Sequence, residues 1–168
     1  ALPTDPTPNR IMVEYHNYTP WQFTQMTSDA SWGDMFYFWG PAYHYSGNPS
    51  RNAIWGEEGY IDSGFQQLTD QYVSKGIPVM VGEFQAAAKS FLAGTEATYN
   101  RASALYWNKY LVDSAIAHGL SPFYWSTPNS PFDLSTGAVY DPQMVTVLTG
   151  GTAPPPPATG TRARPRSG

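Results

Sequence analysis

Apolar residues fall along this chain in three short runs, and helical patterns follow them. The first run, residues 11–18 (IMVEYHNY), is apolar at its start and turns polar and aromatic towards its end. The second, residues 77–84 (IPVMVGEF), is nearly continuous and is introduced by Lys75 and Gly76, which predicts a strand buried on both faces. The third, residues 121–125 (SPFYW), closes on aromatic rings. Phe65, Leu68, Tyr72 and Val73 recur at helical spacing over 62–75, with Asp62 or Ser63 as the cap and Gly76 as the stop. A second helix is predicted over 99–118, with Leu105, Val112 and Ile116 on one face and Gly119 ending it. A last helix covers 142–148 and is closed by Gly150 and Gly151. Consecutive strand–loop–helix units predict an α/β fold with a parallel sheet and right-handed crossovers.

Three segments stand outside this alternation. Residues 1–10 (ALPTDPTPNR) are turn formers and read as a loop. Residues 19–60 are dense in Trp, Tyr, Phe and Gly without a regular period, and long loops of that kind are usually functional. After Gly151 the sequence becomes TAPPPPATGTRARPRSG, which has no apolar periodicity with which to bury a core. The predicted division is therefore a folded part over 1–150 and a Pro-rich linker or disordered tail over 151–168. The arginines at 162, 164 and 166 are read as solvated.

At 168 residues the chain is long enough for one ordinary core. A net charge of -4 offers no basic face, so nucleic acid is not an expected partner. Charged residues make up 13% and aromatics 15%, a balance that suits a neutral polar ligand met by stacking rings. The absence of cysteine excludes disulfides, zinc–thiolate sites and thiol catalysis, and no metal or cofactor is expected. No apolar run approaches the roughly 18 residues of a bilayer span, so no membrane partner is expected either. The chain opens on Ala1, and nothing near it looks like a signal peptide, which reads as a processed start or an excerpt of a longer chain.

The candidate chemistry gathers at the strand ends: His16 and Tyr18, then Glu83, then Trp125. A carboxylate at the carboxyl edge of a parallel sheet is close to water yet backed by apolar walls, which suits a nucleophile or a proton carrier. A tyrosine hydroxyl beside it would keep it oriented, and an indole would form a floor under a sugar ring. The plainer alternative is that Glu83 caps a helix or pairs with a buried cation, and that the rings are packing. His44 and His118, in a loop and near a helix end, read as packing residues, and Glu57-Glu58 as a solvated pair.

The segments VEYHNYTPWQF, KGIPVMVGEF and GLSPFYW together resemble the last three strands of family 5 glycoside hydrolases, the cellulase-type barrel enzymes. The resemblance implies the C-terminal part of a TIM (β/α)8 barrel, about strands six to eight with their helices. It implies that Glu83 is the nucleophile of a retaining endo-β-1,4-glucanase, with His16 and Tyr18 closing strand six and Trp125 closing strand eight. The loop MFYFWGP…RNAIWGEEGY resembles the substrate-cleft loop of these enzymes, which makes Trp32, Trp39, Trp55, Tyr43 and Tyr45 candidates for sugar stacking. The family's acid/base glutamate, in an Asn-Glu pair ending strand four, has no counterpart here. Glu14, Glu57, Glu58 and Glu96 do not end buried strands, and Ser126-Thr127-Pro128-Asn129 departs from the turn usual after the tryptophan. The partner implied is a β-linked polysaccharide or oligosaccharide, the setting is extracellular, and the tail would lead towards a carbohydrate-binding module. This chain alone is expected to be inactive and poorly stable.

Three readings compete with this one, of which a small open α/β protein of unrelated function fits least because of the long first loop. A mannanase or xylanase of the same family would share every motif quoted. A non-catalytic carbohydrate-binding protein would use the aromatic loop as a stacking platform, although such a binder gains nothing from a costly buried carboxylate.

Overall fold

The computed structural model describes residues 2–127 and 131–158. Its centre is a three-stranded parallel sheet of β1 (Val13–His16), β2 (Val79–Glu83) and β3 (Ser121–Pro122), in that spatial order. The strands are shorter than the apolar runs that predict them. The third keeps a ladder beyond its ends, because Phe123 N donates to Val81 O at 2.8 Å and Trp125 N donates to Phe84 O at 3.1 Å. Four helices accompany the sheet: α1 (Trp21–Thr24), α2 (Glu58–Gln71), α3 (Gly94–Ala117) and α4 (Pro142–Leu148).

Alternation decides what each strand residue meets. Val79 and Val81 are buried in the main core, and Val13 and Tyr15 of β1 pack against it. Glu14 and His16 therefore lie on the opposite face and are exposed, and Met80 and Gly82 are only half-buried. The expectation that residues 77–84 are buried on both faces is thus corrected: helices cover one face of these strands, and the other stays open in the described residues. The register runs Val13 to Val79 and Tyr15 to Val81, then breaks, so that His16 pairs with Glu83 instead of Gly82. That one-residue slip sets Glu83 level with His16.

Helix α2 starts at Glu58, with Glu57 in the cap position, rather than at Asp62 or Ser63. Its first-turn Glu58 complements the helix dipole. Asp62 instead faces α3, where it accepts from Tyr110 Oη at 2.7 Å and Ser114 Oγ at 2.6 Å. Gly76 does end this region, in the left-handed conformation at φ 77°, after a 3₁₀ turn over Val73–Lys75. Helix α3 begins at Gly94, well before the predicted start at 99, and its Ile116 is exposed, unlike Leu105 and Val112.

The aromatic stretch 19–60 is irregular in backbone but not loose. Phe23, Phe36, Trp39 and Ala53 enter the main core beside Phe65, Trp107 and Leu111. Met26, Met35, Tyr37 and Phe38 form a second cluster with Tyr99. Irregular backbone buried in this way leaves main-chain groups without strand or helix partners. Helix α3 supplies them from three buried polar side chains. Asn100 accepts from Lys89 N at 2.7 Å and donates to Tyr37 O at 2.7 Å. Ser103 bonds both Trp39 N and Trp39 O at 3.1 Å. Asn108 accepts from Ala86 N at 3.3 Å and donates to Ala86 O at 2.8 Å.

The Pro-rich stretch does not all behave as a free tail. From Ala153 to Pro157 it lies against the body: Tyr43 Oη donates to Pro154 O at 2.8 Å and Tyr99 Oη to Pro157 O at 3.0 Å. Ala153 packs against the cluster of Leu105, Met144 and Val147. Residues 153–157 thus touch the folded part, and the arginines of the tail lie outside the described residues.

Candidate active site

The slip between β1 and β2 assembles the site. Asn17 N donates to Glu83 O at 2.9 Å, which continues the ladder and leaves the next side chain, Tyr18, beside the carboxylate. Tyr18 Oη donates to Glu83 Oε2 at 3.0 Å. His16 Nδ1 stands 3.4 Å from the same oxygen, and His16 Nε2 is 3.0 Å from Glu14 Oε1. Partial burial pushes the Tyr18 hydroxyl up to about 12, with the hydrogen bond and negative charge of Glu83 adding to it. Tyr18 therefore stays a neutral donor across the physiological range.

Two further features hold this edge in place. A Cβ at position 82 would stand 2.1 Å from Glu14 Oε1, so the glycine leaves room for the Glu14 side chain to lie across β2 towards His16. Beneath the site, Trp107 Nε1 donates to Thr19 O at 2.9 Å, and the Thr19–Pro20 peptide is cis. On the far side, Trp125 is half-exposed at the end of β3 and hangs by its backbone from Phe84 O. Buried Gln85 donates towards Tyr124 Oη at 3.2 Å and Thr127 Oγ1 at 3.3 Å, which ties β2 to the segment after Trp125.

His16 and Tyr18 thus both meet Glu83, with Trp125 reached through the backbone of the residue after Glu83. The other aromatic candidates divide. Trp32 and Trp55 are exposed and line one cleft of about 280 Å³ together with Gln22, Asp34 and Ile54. Trp39 has no exposed surface; its indole donates to Gly56 O at 2.9 Å and its ring packs against Tyr106 and Trp107. Tyr43 is buried and stacked on Tyr106 at 4.4 Å. Half-buried Tyr45 lies 4.6 Å from the Tyr99 ring. The stacking expected of Trp39 and Tyr43 is therefore corrected, because neither ring has a free face for a sugar.

Glu57 and Glu58 are also not a solvated pair. Glu57 accepts from Gly40 N at 2.9 Å and meets His44 Nε2 at 2.8 Å, whereas Glu58 accepts from Tyr106 Oη at 3.1 Å. Glu57 anchors the irregular segment to the start of α2, and Glu58 ties α2 to α3. Glu14 is the site residue the sequence reading passes over. Its signal was available, since residues two apart in a strand share a face and His16 is two away. Gln85 carried no such signal, because its partners come from a loop 39 and 42 residues on. A separate cleft of about 530 Å³, lined by residues such as Asp5, Arg10 and Lys75, opens at the amino ends of β1 and β2. It lies at the opposite edge of the sheet from Glu83. Among the described residues no group of three or more His, Cys, Asp or Glu side chains could hold a metal ion.

Parallel strands, crossover helices and a hydrogen-bonded carboxylate at the carboxyl edge define part of an α/β protein built as the (β/α) barrels are. The model of the cellulase family, glycosyl hydrolase family 5, matches residues 1–130. The chain belongs to that family. It is 32% identical over 127 residues to endoglucanase A of Paenibacillus barcinonensis, covering 74% of this chain and 28% of that protein. It is 27% identical over 150 residues to a xyloglucan-specific endo-β-1,4-glucanase of Bacteroides ovatus, covering 88% of this chain and 28% of that protein. Among solved structures it is similar to a Bacteroides ovatus family 5 xyloglucanase in complex with the XXXG heptasaccharide. The TM-score there is 0.77 at 25% identity, over 89% of this chain and 31% of that one. The chain thus spans less than a third of the length of these relatives.

Proposed function

We propose that this chain is the C-terminal part of a secreted, retaining endo-β-1,4-glucanase, with Glu83 as the nucleophile. The observation that carries the proposal is the Tyr18–Glu83–His16 contact at the carboxyl edge of the sheet. A nucleophilic carboxylate must be ionised, held in one direction and partly shielded from water. A neutral phenol donating to Oε2 and a ring nitrogen on the same oxygen supply the direction, and Phe84 and the core behind it supply the shield. In the reaction one oxygen of Glu83 attacks the anomeric carbon as the leaving oxygen takes a proton from a second carboxyl. Water then cleaves the glycosyl–enzyme ester, and that second group removes the water proton. The partner has to stand about 5–5.5 Å away. The remainder of the longer protein supplies it, because neither Glu14, on the face beside His16, nor half-buried Glu57 and Glu58 fits that role.

Trp125 forms the floor of the site in this reading, and the exposed Trp32 and Trp55 pair lies along the same polymer further out. Substrate is a β-1,4-glucan, and the xyloglucan named for the Bacteroides ovatus relative makes a decorated glucan the first to assay. The test is to incubate the enzyme containing this chain with a 2-deoxy-2-fluoro-cello-oligosaccharyl fluoride and to map the labelled peptide. A covalent adduct on Glu83 is expected. An adduct on another carboxylate, or hydrolysis retained by Glu83→Gln, overturns the assignment.

A further inference from the structure

We propose that the face formed by Tyr43 and Tyr99 is a receptor for a polyproline-II segment, and that the chain's own residues 152–158 occupy it as a strap. Four consecutive prolines, Pro154 to Pro157, have φ fixed by their rings, and each proline also drives the residue before it into extended backbone. The segment is therefore stiff before it docks, and little conformational entropy is lost when it does. A polyproline-II helix repeats every three residues, so positions 154 and 157 share one edge. Burial follows that period: Pro154 and Pro157 are half-buried, and Pro155 and Pro156 between them are exposed.

The hydrogen bonds follow it as well. Prolines have no N–H, so their carbonyls are the only main-chain groups through which such a segment can be held. Tyr43 Oη donates to Pro154 O at 2.8 Å and Tyr99 Oη to Pro157 O at 3.0 Å. The two carbonyls they hold are three residues apart, about 9 Å of polyproline-II rise. Both rings are held from behind, Tyr43 by Tyr106 at 4.4 Å and Tyr99 by Tyr45 at 4.6 Å and by Phe38. Burial raises the Tyr43 hydroxyl above its usual value, which keeps it a donor. At the other end, Ala153 seats against Leu105, Met144 and Val147, next to α4.

The strap joins the end of α4, the first turns of α3 and the aromatic segment around Tyr43. It sets the path of the chain over 153–157, which is held at Tyr43 and Tyr99 instead of swinging from Gly150 and Gly151.

These 168 residues hold no cysteine, so in the enzyme containing this chain, with any cysteine elsewhere replaced by serine, Ala158→Cys places one fluorophore at the end of the strap. Time-resolved anisotropy should show that label tumbling with the body. Tyr43→Phe and Tyr99→Phe should each lower the docked-to-undocked ratio about fivefold, and about 25-fold together, as expected for one hydrogen bond each. Replacing Pro154–Pro157 by Gly-Ser-Gly-Ser should free the label entirely. Tyr106→Phe, which removes a hydroxyl bonded to Glu58 and not to the strap, should leave it docked and controls for general loosening. A freely rotating label in the unsubstituted chain, or one unmoved by the Tyr43→Phe and Tyr99→Phe pair, overturns the proposal. Docking that appears only as the chain dimerises overturns it too, since the occupant would then be a second copy.

Discussion

Replacing Asn108 by leucine tests how the segment after Glu83 is held. The side chain is fully buried and serves both main-chain groups of Ala86, three residues past the carboxylate. Leucine keeps the branched outline of asparagine with bulkier methyl groups, so the change removes hydrogen-bond partners without opening a cavity. The Ala86 N–H and C=O are then left inside the core, at a cost of about 1–3 kcal/mol each. The bond to the N–H is long, at 3.3 Å, and contributes the smaller share. The third bond, from Asn108 Nδ2 to Ala104 O, goes to a helix carbonyl and its loss costs little. Leucine returns some of this as apolar burial, about 1 kcal/mol. The expected net loss is about 2–4 kcal/mol, a large part of the roughly 5–15 kcal/mol that stabilises an ordinary domain. Urea denaturation followed by circular dichroism should show a midpoint lowered by about 1–2 M at unchanged slope. Amide exchange at Ala86 should quicken well beyond the global change. A loss under about 0.5 kcal/mol, or protection retained at Ala86, would show that water or a local shift satisfies these groups and that the clamp does not hold this segment.

Three other outcomes are expected. Acidification should cost stability through Asp141, whose burial would raise its carboxyl but whose bonds from Arg101 and from Met144 N hold it below the usual 3.8. The contribution is present above that unfolded value and is lost as pH falls through the lower folded one; Asp141→Asn, which can still cap α4, should flatten this limb of a stability–pH curve. Tyr18 runs the other way: with its folded value near 12 against 10.0, its share is complete below pH 10 and is lost above it, and Tyr18→Phe should remove one late-titrating phenol from the ultraviolet titration. Gly82→Ala should cost under about 1 kcal/mol, since the atoms it meets belong to the flexible, exposed Glu14 side chain, yet it should change the His16 ring resonances; unchanged resonances would mean that Glu14 does not hold His16 in solution.

Much of this protein was legible in residue order alone. The apolar run 77–84 ends where β2 ends, Gly76 stops the helix before it, and residues 142–148 form α4 within the predicted limits. These features rest on local rules: apolar period, the freedom of glycine and the stop signals of a helix. Resemblance of three strand-end motifs was enough to name the family. Two things that depend on the third dimension were not legible. One is the division of the aromatic rings, since Trp39 and Trp55 look alike in the sequence, yet one is sealed against Trp107 and the other lies exposed in a cleft. Burial of a ring depends on what reaches it from far along the chain, and no short-range period encodes that. The other is the Glu83–His16 alignment, which a single slip in register creates between strands more than sixty residues apart. The sequence by itself determined which groups could do chemistry and on which elements they ride. Tertiary structure alone decided which of them meet, because contact is set by register and packing, and both are properties of pairs of segments and not of either one.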